Sequence, residues 1–377
     1  MKKLKIAFLC EFSAGADGVW NRVYNIAKIL AKRHEVYVLS SNITKGTEEI
    51  AKAEEEIDKI KIYRFPVKFQ VGENTLFWNF EDKLKEIRPD IIDTHVFRHP
   101  HSNKVPKIAK QIGAKCFLTT HAPFVEKELR SPLLNLVVSL YDKFKAKRIL
   151  NSYDKVIAIT KWEIPYLEKL GCEKEKIVYI PNGIPDEFFK IKNKPRGKED
   201  KAKTILFFGR VAPIKNLEIL IKAYKIILEK KYKVKLKIVG PAEKGYKQRL
   251  LDIVNQSNVN VEFLGAIYDL KQKIKIVQDS DIFVLPSKRE ASPQALIEAM
   301  AFGKIVISSA TQGGKEIIKD DKNGFLFEIG NVEHLAKKIA YCLDNSSSLE
   351  RIRKEAKNSV KSLVWSKIAK NEESLIM

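Results

Sequence analysis

Short apolar runs alternate with segments of helical period along the whole chain. Residues 4–12 form the first run, residues 13–18 read as a loop, and Val19, Val23, Ile26, Ala27 and Leu30 then recur at helical spacing. Residues 34–41 return as a strand. This strand–loop–helix–strand order predicts parallel pairing with right-handed crossovers. Further apolar runs at 60–65, 90–95, 115–120, 155–160 and 176–180 continue the alternation. A polar stretch at 186–203 reads as a linker. The pattern then restarts, with strands at 204–208, 234–240, 261–264, 282–286, 305–308 and 324–327 and a helix at 216–229. The expected class is α/β: two facing Rossmann-like domains, 1–185 and 204–360, each a doubly wound parallel sheet. Ligands of such sheets bind beyond the carboxyl ends of the strands, here in a cleft between the domains.

Composition agrees with two domains and narrows the setting. A chain of 377 residues exceeds one ordinary core, and 45% hydrophobic with 31% charged residues is a globular balance. No apolar stretch approaches the roughly 20 residues of a membrane span. The opening MKKLKIAFLCEF suits a first strand better than a signal peptide, so a cytoplasmic protein is expected. Four scattered cysteines without a C-x-x-C pair argue against a disulfide framework or a thiolate zinc site. The net charge of +22 has two readings: an anionic partner, or a lysine- and glutamate-rich surface suited to heat.

The strongest local chemistry lies in DIFVLPSKREASPQALIEAMAFGKIVISSATQGGKEII. Ser292 is expected as a helix N-cap and Pro293 as the first helical residue. Glu290 then sits in the loop and Glu298 about two turns into the helix. A carboxylate placed like Glu298 can accept both hydroxyls of a ribose, and the helix-start amides suit a phosphate. Glu290 would meet a sugar hydroxyl. Two glutamates on an ordinary surface helix are the plain alternative.

Other features are weighed in the same way. Gly15 and Gly18 flank the loop after the first strand. The G-x-G-x-x-G spacing is absent and the second strand ends in Ser40-Ser41-Asn42, so a nicotinamide site is excluded. Four of the six histidines lie between His95 and His121. His95, His99 and His101 could suggest a metal, but Pro100 interrupts them and no thiolate or glutamate is near in sequence. They line an acceptor side or sit on a loop. Asp279-Ser280-Asp281 reads as a turn, not a metal motif. Residues 126–150 mix Leu133, Leu134, Leu136, Val137, Leu140 and Phe144 with Lys143, Lys145, Lys147 and Arg148. That basic amphipathic helix either docks on anionic lipid or faces a core with its lysines solvated.

EASPQALIEAMAFGKIVISS resembles the E-x7-E helix and following strand of retaining GT-B glycosyltransferases, family 4 in particular. IPNGIPDEFF resembles that family's domain junction, and FFGRVAPIKNLEILIKAY its opening of the second domain. KIVGPAEKGY, VEFLG and DDKNGFLFEIGN follow in family order. The likeness is close over 155–340 and looser before it. It implies transfer of a sugar from a nucleotide-diphosphate sugar to a glycan or lipid-linked hydroxyl, with retention and without metal or cofactor. By resemblance Arg210 and Lys215, with Gly209, hold the diphosphate, while Glu290, Ala291, Ser292 and Glu298 hold the donor. His121 resembles the family's cleft histidine, touching donor or acceptor sugar. Gly15 and Gly18 would let backbone approach the donor phosphates, although Ala16-Asp17 departs from the commoner form. Gly313, Gly314 and Glu316 match a glycine-rich turn, with Lys315 where the family more often has proline. A last helix, 361–377, would return to the first domain.

Retention without a well-placed carboxylate nucleophile points to attack from the face that the diphosphate leaves. A GT-B-fold epimerase or phosphorylase is the enzyme alternative. A basic nucleic-acid-binding protein is the non-enzyme one, but the chain lacks RNP-like strands, helix-turn-helix spacing and zinc fingers, so no nucleic acid is expected. An anionic membrane surface, visited from the cytoplasm, would account for the charge if the acceptor is lipid-linked.

Overall fold

The computed structural model describes residues 2–15, 17–47, 49–72, 75–125, 128, 130–191 and 202–377. The chain divides into two compact units, Met1–Gly183 with Trp365–Met377, and Ile184–Val364. Most of the expected linker (192–201), Ala16 and the start of the 126–150 segment lie outside the described residues.

In the first unit the strands are β1 (Lys5–Leu9), β2 (Glu35–Ser41), β3 (Glu54–Ile57), β4 (Ile60–Phe65), β5 (Val67–Val71), β6 (Thr75–Trp78), β7 (Ile91–His95), β8 (Lys115–Thr119), β9 (Lys155–Ala158) and β10 (Ile177–Tyr179). Eight of them form one sheet in the order β10-β9-β8-β7-β1-β2-β4-β3. All its pairs are parallel except β3 with β4. Central strands such as β1 and β7 are buried on both faces, which is why they read as unbroken apolar runs. β5 and β6 form a separate antiparallel hairpin. Neither that hairpin nor β3 is expected from the sequence. β3 is Glu-Glu-Glu-Ile, a charged edge strand with no apolar run to announce it.

Helix Gly18–Leu30 begins where the Asp17 carboxylate accepts from the Trp20 amide at 2.9 Å. Such a cap contributes about 1 kcal/mol. Its apolar stripe, Val23, Ile26, Ala27 and Leu30, packs with Ile6, Phe8, Val36 and Val38 of the sheet. The final helix, Trp365–Ile376, adds Trp365, Ile368, Ala369 and Ile376 to the same cluster. It is pinned there by ion pairs from Glu372 to Arg22 (2.8 Å) and from Glu373 to His34 (3.1 Å) and Arg33.

The second unit holds β11 (Lys203–Phe208), β12 (Val234–Val239), β13 (Val261–Gly265), β14 (Ile282–Leu285), β15 (Ile305–Ser309) and β16 (Phe325–Phe327), all parallel in the order β13-β12-β11-β14-β15-β16. Helix Leu217–Glu229 buries Leu217, Leu220, Ile221, Ala223, Tyr224 and Ile227 against this sheet. The unit starts before the expected linker ends. Helix Glu187–Lys190 is its first turn, and Phe188 meets Phe302 edge-on in the core.

Both sheets change direction once. The chain steps from β1 outward to β2 and later returns to place β7 on the other side of β1. It does the same with β11, β12 and β14. The crevices at the carboxyl ends of β1/β7 and β11/β14 are therefore the switch points where such sheets take ligands.

Candidate active site

At the switch point of the second unit, three loops are tied together. Ser309 donates its hydroxyl to the Ser287 carbonyl at 2.5 Å, the Lys288 amide donates to the Ile214 carbonyl at 2.9 Å, and the Gly313 amide to the Glu290 carbonyl at 3.0 Å. This ties the loop after β14 to the turn Pro213–Lys215 and to helix Gln312–Ile317. Lys215 Nζ lies 2.6 Å from Glu290 Oε1, which also accepts from the Ser287 hydroxyl at 2.5 Å. Arg210, just past β11 and Gly209, pairs with Glu243 at 2.8 Å, both half-exposed. Two cations thus stand in the one segment that follows β11. A charge-assisted bond of this kind is roughly twice as strong as a neutral one.

Helix Gln294–Ala301 starts one residue later than the capping pattern suggests. Pro293 is itself the cap, and Ser292 precedes the helix without capping it. Glu298 is the helix's fifth residue, one turn in, and almost wholly buried. Lys273 Nζ stands 2.5 Å from its Oε1, with the ammonium over the rings of Phe208 (5.1 Å) and Phe188 (5.8 Å). Burial raises the Glu298 carboxyl above its ordinary value, and the Lys273 charge pulls it back. The sequence reading missed Lys273, which lies in an unremarkable lysine-rich helix, Leu270–Gln278.

Gly313 and Gly314 are not a turn but helix residues, with Thr311 capping the Gly314 amide. A Cβ at Gly313 would lie 2.4 Å from the Ala291 carbonyl oxygen. Glycine is required there because the Glu290–Ala291 backbone comes so close.

In the first unit the roles of the two early glycines separate. Gly15 has φ +84°, and a Cβ there would meet the Lys45 carbonyl oxygen at 2.3 Å. Its close approach is to the chain's own backbone. Gly18 is helical, with open space where a Cβ would stand, so nothing there demands glycine.

The histidines also separate. His101 lies in helix Pro100–Ile112, buried, and its Nε2 meets the His95 carbonyl at 2.8 Å; it does not line an acceptor surface. His95 is wholly buried as well. His99 is half-buried and pairs with Glu11 at 2.5 Å across the β1/β7 switch point. His121 is partly exposed, and its Nε2 lies 2.8 Å from His95 Nδ1. Burial lowers His95 to about 3 and holds His121 well below its ordinary value, so both rings are neutral near pH 7. Val96, Arg98, His121 and Ala122, just beyond β7 and β8, all have positive φ, and Val96 (φ 75°) is the costliest for its type. Glu163 supports this strained loop. Its carboxylate accepts from the Thr120 hydroxyl (2.7 Å) and from the amides of Ala122 (3.0 Å), Ile159 (2.6 Å) and Thr160 (3.0 Å).

Helix Pro132–Tyr141 has no buried residue. Leu133 is 73% exposed, and Leu134, Leu136, Val137, Leu140 and Phe144 are exposed too, so the core-facing alternative fails. Lys143, Lys145, Lys147 and Arg148 follow on exposed positions. Polar ties fix the helix's far end: Tyr141 donates to Asn103 at 2.5 Å, and Arg98 bonds Asp142 through two contacts of 2.8 and 2.7 Å.

The four cysteines are buried and free. Among the described residues, no group of three or more His, Cys, Asp or Glu side chains is arranged to hold a metal, and no helix is long and apolar enough to cross a membrane. Asp281 serves its strand, accepting from the Thr204 amide at 2.8 Å.

Two switch-point α/β units, one carrying paired cations beside buried carboxylates, define a GT-B-type transferase class. Family comparison agrees. Residues 16–188 match the family described as Glycosyltransferase Family 4, and residues 188–359 match Glycosyl transferases group 1. The chain belongs to the family 4 type of glycosyltransferases with the GT-B fold, and it is a glycosyltransferase. It is 27% identical to an uncharacterized glycosyltransferase of Methanocaldococcus jannaschii, over 98% of this chain and 97% of that one. It is 25% identical, over 95% and 93%, to a Campylobacter jejuni alpha-1,4-N-acetyl-D-galactosaminyltransferase whose named acceptor is a diphospho-undecaprenol-linked sugar. The crystal structure of HepE from Anabaena in complex with UDP and glucose superposes with a TM-score of 0.76 at 19% identity, over 99% of both chains. None of these matches points to an epimerase, a phosphorylase or a nucleic-acid-binding protein.

Proposed function

We propose that the protein transfers a sugar from a nucleoside-diphosphate sugar to a hydroxyl of a glycan or lipid-linked acceptor, with retention of configuration and without a metal. The observation that carries this reading is the Lys215–Glu290 pair at the β11/β14 switch point, with Arg210 earlier in the same segment after β11 and buried Glu298 on the helix that follows Glu290. Arg210 and Lys215 neutralise the leaving diphosphate, the task a metal has elsewhere. Glu298 accepts from the ribose hydroxyls. Glu290 exchanges part of its bond to Lys215 for a sugar hydroxyl. The amides of Ala291 and Ser292 approach the donor. In the first unit His121 contacts a sugar hydroxyl.

The chemistry is a front-face displacement. The bond from the anomeric carbon to the diphosphate oxygen breaks as the acceptor oxygen approaches from the same side. The acceptor's proton passes to the departing phosphate oxygen.

The acceptor is read as lipid-linked, and the enzyme as a peripheral visitor to the cytoplasmic membrane face. The exposed leucines of helix Pro132–Tyr141 and the lysines after it support this, as does the Campylobacter relative's undecaprenol-linked acceptor. UDP in the Anabaena structure makes UDP-sugars the first donors to try. The test is hydrolysis and transfer with a panel of UDP-, GDP- and ADP-sugars, followed by anomeric analysis of the product. Turnover of none of them, or an inverted product, would defeat the proposal.

A further inference from the structure

A line of buried polar side chains runs inward from His121. His121 Nε2 is 2.8 Å from His95 Nδ1. On the far side of the same ring, His95 Nε2 stands 3.5 Å from Asp93 Oδ2 and has no closer partner. Asp93 and His95 are two apart on β7, so their side chains share a sheet face. Asp93 accepts from the Thr119 hydroxyl at 3.1 Å. Behind it lie Arg22 and Glu372, paired at 2.8 Å, each almost without exposed surface.

A neutral imidazole carries one proton, so each ring in such a line is donor at one nitrogen and acceptor at the other. Direction is therefore passed along it. An ionised Asp93 can only accept, which places the His95 proton on Nε2. His95 Nδ1 must then accept, which places the His121 proton on Nε2. The nitrogen left over on His121 is Nδ1, bearing a lone pair.

We infer that Asp93 and His95 are positioning residues that hold His121 in the Nε2–H tautomer, so that its Nδ1 accepts a hydrogen bond from a sugar hydroxyl. The role of His121 rests on the function proposed above; the tautomer order does not. The surrounding charges favour the assignment. Burial raises Asp93 to about 6, while the Arg22 charge and the Thr119 hydroxyl pull it back, so above neutrality Asp93 is an acceptor. On the remaining sides, His99 paired with Glu11 and the Arg22 guanidinium discourage a second proton on His121.

Asp93→Asn reverses the line. Its amide donates to His95 Nε2, His95 then donates from Nδ1, and His121 is left offering Nδ1–H where a lone pair was. The experiment uses the full chain with isotope-labelled histidine and reads the ring nitrogen shifts, assigned with His95→Gln and His121→Gln. In the unliganded wild type at about pH 8, both rings should report Nε2–H. In Asp93→Asn both should report Nδ1–H, with kcat lowered roughly 100-fold or more and the donor KM little changed. Nδ1–H rings in the wild type would overturn the inference even if the variant does not fold. Unchanged tautomers in a folded Asp93→Asn would do so as well. Wild-type rings in the inferred order together with no sugar transfer would sink the proposed function and leave the tautomer assignment standing.

Discussion

Lys273 Nζ lies 2.5 Å from Glu298 Oε1, with the carboxylate almost wholly buried and the ammonium over two phenylalanine rings. A lone carboxylate there would take up a proton, because removing a charge from water costs far more than neutralising it. The Lys273 charge opposes that uptake, and in the proposed function it favours Glu298 as an acceptor for the ribose hydroxyls.

Glu298→Gln should weaken binding of the cognate nucleotide by roughly 1.5–3 kcal/mol, the worth of hydrogen bonds to a charged group. Lys273→Met should act through pH instead. Without the lysine the carboxyl rises further, so affinity should fall at low pH and recover as pH increases. Calorimetry across the range decides, and a pH-independent loss would assign Lys273 a direct contact.

Removing charge at Arg210 or Lys215 should lower kcat more than it raises the donor KM, since negative charge grows on the diphosphate as it departs. Chelator should leave activity intact. Loss with EDTA and recovery with magnesium would replace the metal-free mechanism.

Gly313→Ala should reduce turnover and stability together, because the new methyl group meets the Ala291 carbonyl at 2.4 Å and pushes on the Glu290 loop. Gly18→Ala should be close to neutral in both, as its Cβ meets open space. Thermal melting beside initial rates separates the two. An inert Gly313→Ala would mean that the loop tolerates displacement.

Vesicles test the exposed helix. Binding to anionic lipid should exceed binding to neutral lipid and weaken with salt, each nearby lysine adding about 1 kcal/mol. Replacing Lys143, Lys145, Lys147 and Arg148 with Gln should reduce it, and Leu133, Leu136 and Phe144 to Ser should reduce it at high salt too. Donor hydrolysis should not change. Equal recovery from both vesicle types at low salt would return the +22 charge to the heat-suited surface.

Glu372 gives a stability prediction with a definite sign. Its folded value, about 7, lies above the ordinary 4.5, so the folded state holds a proton that the unfolded chain releases first. Its stabilising contribution is complete below about pH 4.5 and is lost as pH rises through about 7. Glu372→Gln cannot ionise. Its stability relative to wild type should improve over that window, by at most about 3 kcal/mol at 1.36 per unit. Denaturant unfolding at several pH values measures it, and a flat difference would contradict it.

Period and spacing exposed most of the parallel strands, because these are buried on both faces and carry no polar alternation. β3 escaped because three glutamates hide a strand that only its partner reveals. Glu290, Glu298, Arg210 and Lys215 were readable since each belongs to a linear motif. Lys273, Asp93, Glu163 and Glu372 were not, because each acts on a residue distant in sequence and only tertiary packing supplies the partner. Gly18 and His101 mark the complementary limit: a loop glycine and one at a helix's first position look alike in sequence, as do a lining and a buried histidine.

The closing helix has a consequence for how the protein is made. Helix Trp365–Ile376 supplies Glu372 to Arg22 and Glu373 to His34, so residues of the earliest helix and of the turn after it wait for partners synthesised last. The second unit, continuous from Ile184 to Val364, can complete its core on the ribosome first. The segment that leaves the ribosome first is then the last to find its full set of neighbours. Expression of residues 2–183 alone should leave Arg22 without its carboxylate, and supplying the final helix in trans should improve recovery of that fragment.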